Sequence, residues 1–156
     1  MKIANAPCSW GVLEFELDGE APNYAQVLDE MHAIGYIGTE LGDWGFMPTN
    51  AGQLRDELAK RQLTILGAFV AVALADVGTH AAGEAAALRH ARLLADVGGK
   101  TPFIVLSDDN ATTELRTRYA GRVRPEHGLT LSEWDTFVQG VHRIAQSVRD
   151  ETGLRT

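Results

Sequence analysis

Tyr36-Ile37-Gly38-Thr39-Glu40-Leu41-Gly42-Asp43-Trp44-Gly45-Phe46-Met47-Pro48 decides how the rest of this chain is read. Gly35 closes a helical pattern before it, an apolar run follows, and Glu40, Asp43 and Trp44 stand where that run breaks into glycines. Carboxylates and an aromatic at the end of a buried strand suggest a site, because ligands of α/β proteins gather outside the carboxyl ends of the strands. The direction of this strand therefore sets the direction expected of the others.

Upstream, Ile3 to Ala6 reads as a short strand stopped by Pro7, followed by a Cys8 to Gly11 loop and an acidic connection with Glu14, Glu16, Asp18 and Glu20. Asn23 with Gln26 caps a helix whose apolar stripe is Tyr24, Val27, Leu28, Met31 and Ile34. Downstream, Asn50 with Gln53 caps a second helix carrying Leu54 and Leu58. Leu63 to Leu74 is apolar almost throughout, as expected of a parallel strand covered on both faces. A third helix spans roughly Ala81 to Val97, and Thr101 to Leu106 is a fourth strand leading into a long polar loop that ends at Gly128. Thr130 and Glu133 form a capping box for a last helix with the stripe Trp134, Phe137, Val138, Val141, Ala145 and Val148.

Strand and helix thus alternate four times, which predicts an α/β protein with a parallel (βα)4 sheet and right-handed crossovers. Leu154-Arg155-Thr156 follows a helix-ending glycine where the pattern calls for a fifth strand, so the chain reads as cut short before it. A length of 156 residues fits one domain, taken as 1–156. The 14 Lys plus Arg against 21 Asp plus Glu give a net charge of -7, which disfavours nucleic acid as a partner. A single Cys8 fits a reducing compartment, and no run is long enough for a signal peptide or a membrane span, which points to the cytoplasm.

Ala6-Pro7-Cys8-Ser9-Trp10-Gly11, Thr39-Glu40-Leu41-Gly42, Trp44-Gly45-Phe46-Met47-Pro48-Thr49 and Leu63 to Phe69 together resemble the N-terminal part of the sugar phosphate isomerase/epimerase superfamily. Within it they are most like the inosose dehydratase-like proteins. The resemblance implies a xylose isomerase-like TIM barrel acting on a sugar or cyclitol, with a divalent metal ion (Mn, Co or Mg) held by carboxylates and a histidine. Those ligands belong to later strands, so they are expected beyond Thr156. A full barrel has eight units and about 250 residues, and four units cut from it leave two open edges through which self-association is expected. The chain alone is then expected to be inactive. The alternative is a self-contained small α/β binding domain without catalysis.

The candidate substrate contacts are Trp10, Glu40, Asp43, Trp44 and Asp108. Carboxylates accept well from sugar hydroxyls and indole faces suit sugar rings. The plainer readings stand beside these: Glu40 paired with a nearby Arg or Lys, Asp43 solvated, the tryptophans in the core, Asp108 and Asp109 in a turn. Arg116, Arg118, Arg122 and Arg124 lie on a loop that either binds a phosphate, closes over the site or is simply a solvated lid or crossover segment.

Overall fold

A computed structural model describes residues 2–11, 22–109 and 114–156. The acidic connection from Glu14 to Glu20 lies outside these residues, as does Asn110. Four parallel strands, β1 (Ala4–Asn5), β2 (Gly38–Glu40), β3 (Thr64–Val72) and β4 (Phe103–Asp108), form one sheet in the order β1-β2-β3-β4. Helices α1 (Tyr24–Ala33), α2 (Ala51–Lys60) and α3 (His80–Gly98) return the chain between strands, and the short α4 (Glu114–Arg118) and long α5 (Leu131–Thr152) follow β4. A doubly wound sheet reverses its strand order part-way, whereas sequential order with right-handed crossovers keeps every helix on one face. This is a (βα)4 half of a barrel.

The helix starts follow from capping chemistry. Asn23 and Asn50 each accept the backbone N–H of the residue three along, Gln26 and Gln53, both at 3.0 Å. Thr130 and Glu133 complete the expected reciprocal box, Glu133 accepting the Thr130 N–H at 2.7 Å and Thr130 accepting the Glu133 N–H at 3.3 Å. The loop read from Cys8 to Gly11 is instead a 3-10 turn over Pro7–Trp10, and the polar stretch before Gly128 contains α4 and a second turn at Pro125–His127.

The core lies between sheet and helices: Val27, Leu28 and Met31 of α1, Leu54 and Leu58 of α2, Leu94 of α3 and Ile144 and Val148 of α5 bury against Ile65, Ala68, Val70 and Ile104. The other face of the sheet is open. Phe69 and Phe103 are each 41% exposed and Ala71 is exposed, so β3 is covered on one face only, against expectation. The alternation of β3 is hidden by a bulge. Thr39 pairs with Ile65 but Glu40 with Gly67, and this extra residue puts Leu66 and Gly67 on the same, open side. Ile34 ends the α1 stripe at 65% exposure, and Trp134 and Val138 on α5 are half exposed. On α5 it is Gly140, Ile144 and Val148 that face the core.

At Leu154 the chain turns back into the sheet. Leu154 is fully buried, Arg155 pairs in parallel with Phe103, and the Ile104 N–H donates to the Arg155 carbonyl at 2.9 Å. A fifth rung therefore begins where the sequence pattern called for one.

Close approach of α3 to β3 requires a glycine. A Cβ on Gly83 would lie 2.5 Å from Val72 Cγ1 and 2.7 Å from Cγ2, and a β-branched side chain in a sheet has little rotamer freedom to yield. Overpacking of about 1–3 kcal/mol outweighs the gain of up to about 1 kcal/mol in helix propensity. Gly83→Ala is therefore expected to lower unfolding free energy by about 1–2 kcal/mol in urea titration, and an unchanged or raised midpoint would contradict this helix–sheet spacing.

Candidate functional site

All four strands point their carboxyl ends the same way, so Asn5, Glu40, Val72 and Asp108 mark one end of the sheet. Side chains alternate across a strand, and Thr39 is fully buried under the helices, which turns its neighbours Gly38 and Glu40 to the open face. There Gly38 leaves room for Leu66, whose Cδ1 would stand 2.7 Å from a Cβ at that position. A Cβ on Gly67 would stand 2.9 Å from the Phe103 carbonyl oxygen. Glu40 pairs with Gly67 rather than with the last residues of β3, and its side chain leaves the strand on the open face, on the same side as Leu66, Phe69, Phe103 and Val105.

Glu40 is half-buried; its carbonyl accepts the Thr39 hydroxyl at 2.8 Å, but its carboxylate makes no hydrogen bond or ion pair among the described residues, so the plain reading of an Arg or Lys partner is not what the structure has. A carboxylate that loses water without gaining a donor is costly. The arrangement leaves it able to accept hydroxyl donors from a guest in the hollow.

The other four candidates are occupied elsewhere. The Trp10 indole N–H donates to Glu30 on α1 at 2.7 Å, and its ring meets Tyr36 edge-on with centroids 6.3 Å apart. Trp44 turns onto α3, where it meets His90 edge-on at 4.8 Å and carries the Arg89 guanidinium 4.4 Å from its centroid. Asp43 is exposed on the same side and close enough to favour the charged form of His90. Asp108 accepts the Leu74 N–H at 3.1 Å and the Arg116 guanidinium at 2.6 Å, tying the loops after β3 and β4 together. A single acid followed by a loop arginine gave no sequence signal for that clamp.

The remaining arginines do not gather into a basic face. Arg118 lies 5.9 Å from the Tyr119 ring, Arg122 donates to the Arg118 carbonyl at 3.3 Å, and Arg124 is 3.9 Å from Glu126. Above the Asp108–Arg116 clamp lies a cleft of about 290 Å³ bordered by Asp76, Asp109, Leu115, His127 and Glu133. Cys8 is free and exposed. His80 is buried at the start of α3, within 2.9 Å of the Leu74 carbonyl and against Gly140 of α5. Among the described residues no three His, Cys, Asp or Glu side chains converge as metal ligands would, so the residues present do not fit a divalent cation centre. No described helix is long and apolar enough to cross a membrane.

With this geometry in view, the similarities to known proteins are informative. No family model matches the chain. Curated relatives do: it is 28% identical to the inosose dehydratase of Geobacillus kaustophilus over 157 residues, covering 99% of this chain and 48% of the relative. It is 26% identical to the inosose dehydratase of Lacticaseibacillus casei, covering 99% of this chain and 50% of that protein. The crystal structure of D-psicose 3-epimerase with D-tagatose from Clostridium cellulolyticum H10 superimposes with a TM-score of 0.61 at 13% identity, over 96% of this chain and 49% of the epimerase. The chain is similar in sequence to inosose dehydratases and has the fold of half of the xylose isomerase-like barrel of the epimerase. It corresponds to the N-terminal half of that barrel, and spans about half the length of the curated relatives it matches.

In this half-barrel the Trp44–His90 contact has a titration consequence. Burial holds the His90 imidazole below the usual histidine range, outweighing the Ala86 carbonyl and Asp43, which favour its charged form, while Arg89 adds to the depression. The unfolded chain therefore binds this proton first as pH falls. Stability from the neutral ring is full above about pH 6.5 and is lost as pH drops through the lower folded value. His90→Phe is expected to flatten that part of the stability–pH curve in denaturant titrations between about pH 7 and pH 5; parallel curves for the two proteins would show that His90 is not the group responsible.

Proposed function

We propose that this chain supplies the substrate-binding first half of a sugar or cyclitol isomerase, epimerase or dehydratase, of the type that removes a proton beside a carbonyl. Glu40 carries the reading: a half-buried carboxylate, without a partner among the described residues, on the open face of a parallel half-barrel. Polyols and keto sugars present hydroxyl donors that a fixed carboxylate accepts strongly, and the apolar surface of Phe69 and Phe103 suits the C–H face of a ring. The names of the relatives, inosose dehydratases and a D-psicose 3-epimerase, support the same substrate class.

Proton removal next to a carbonyl forms an enediolate, and dehydration expels a β-hydroxyl from it. A divalent cation would polarise the carbonyl oxygen in the complete enzyme, with its ligands on residues outside 1–156. Within the 156 residues, treated as a single domain, the role is to bind and orient. The isolated chain binds without turnover. A cytoplasmic setting fits a free Cys8, and a polyanionic partner fits poorly with a net charge of -7.

The test is a titration of the ¹⁵N-labelled chain with 2-keto-myo-inositol and, separately, D-psicose. Shifts are expected at the amides of Glu40, Leu41 and Phe69, and Glu40→Gln is expected to weaken binding by about fivefold or more, since a charge-assisted bond becomes a neutral one. Shifts confined to Asp76, Asp109 and Glu133 at the other cleft, or none with either compound, would sink this reading.

A further inference from the structure

The open face of the sheet changes character towards its carboxyl end. From the level of Glu40 upward, β3 presents Gly67, Phe69 and Ala71 to that face and β4 presents Phe103, Val105 and Ser107, paired Gly67 with Phe103, Phe69 with Val105 and Ala71 with Ser107. Ser107 is the one polar side chain of these six, and it stands in the last pair before the strands end. A barrel packs its lower layers with side chains, whereas the layer at the carboxyl ends of the strands is where ligands bind. Ser107 and Ala71 belong to that upper layer, so their access to a ligand does not depend on the exposure of the residues below them.

The Ser107 hydroxyl is not spent on the protein. Its contact with the Asp108 carbonyl is 3.4 Å long, well beyond the roughly 2.7–2.8 Å of a good O–H···O bond, and it makes no other hydrogen bond among the described residues. Asp108 leaves β4 on the opposite face, where the Leu74 N–H and the Arg116 guanidinium anchor it. The backbone that carries Ser107 is thus tied down through its neighbour while the hydroxyl stays available as both donor and acceptor. Ala71, paired with Ser107 across the ladder, is exposed and ends at Cβ, which leaves room beside that hydroxyl.

Glu40 and Ser107 are therefore two uncommitted polar groups on one face, with Phe69 and Val105 between their levels. Two strand spacings and four residues of rise separate them, about 10 Å across and about 13 Å along the sheet. At that distance they do not bond to each other, and a ligand that engages both must carry polar groups on two opposite sides. A ring hydroxylated all round meets that requirement; a ring with hydroxyls on one edge does not.

We propose that Ser107 is a second ligand contact and a specificity-determining residue of the hollow, reading a hydroxyl on the side of the ring away from Glu40. The inference rests on the reading of the hollow as a polyol site and adds to it the requirement for hydroxyls on both sides.

The test is titration of the ¹⁵N-labelled chain and two variants with 2-keto-myo-inositol. Ser107→Ala is expected to raise the dissociation constant about threefold to tenfold, the loss of one hydrogen bond to a neutral group. Ser107→Thr keeps the hydroxyl and is expected to stay within about twofold of the unaltered chain. Both variants are expected to keep the urea midpoint, because the hydroxyl holds no good bond within the protein. Ser107→Ala binding as tightly as the unaltered chain, or Ser107→Thr weakened as much as Ser107→Ala, would overturn the contact and leave the reading of Glu40 standing. Failure of the unaltered chain to bind would overturn both.

Discussion

A parallel sheet can bury only as much of itself as its connections can cover, and here every connection crosses on the same side. Helices α1, α2, α3 and α5 shield one face with a continuous leucine, isoleucine and valine core. The opposite face keeps Phe69 and Phe103 in contact with water. This asymmetry governs the rest: it puts Glu40 on the open face and leaves β1 and β4 as the outer strands of the four-stranded sheet. The short parallel pairing of Arg155 with Phe103 is the one place where the β4 edge has begun to close.

Within the hollow, glycines do the shaping. Gly38 and Gly67 lack the Cβ atoms that would collide with Leu66 and with the Phe103 carbonyl, so large side chains from neighbouring strands tile the floor at close range. Glu40 rises from that floor. The bulge in β3 at Leu66 and Gly67 places Glu40 opposite Gly67 instead of Leu66. The strand fixes the backbone from which this carboxylate projects, a support that a loop acid such as Asp43, exposed beyond Gly42, does not have.

Much of this was legible in the residues. Asn23, Asn50 and Thr130 announced three helices because a side-chain oxygen three residues ahead of a backbone N–H is a local signal, and all three caps form. Four strand–helix repeats gave the parallel order, and the glycine at 153 marked the return to the sheet. Signals that depend on distant packing were harder to see. A uniformly apolar β3 reads as buried on both faces, whereas its open face is apolar because it lines a barrel interior. The α5 stripe placed Trp134 and Val138 inward, yet Gly140 faces the core because His80 fills the space a side chain would need. Trp10 and Trp44 were open to either reading; their partners Glu30, Tyr36, Arg89 and His90 are far away in sequence.

The central claim is one of strand order and direction, and cross-strand amide contacts in a nuclear Overhauser spectrum of the labelled chain report both. Gly38 should show contacts to Ala4 on one side and Thr64 on the other, Ile104 to Ala68 and to Arg155, all with the pattern of parallel neighbours. Contacts joining β4 to β1 within a monomer in the manner of a doubly wound sheet, or an antiparallel pattern between any two strands, would contradict the half-barrel.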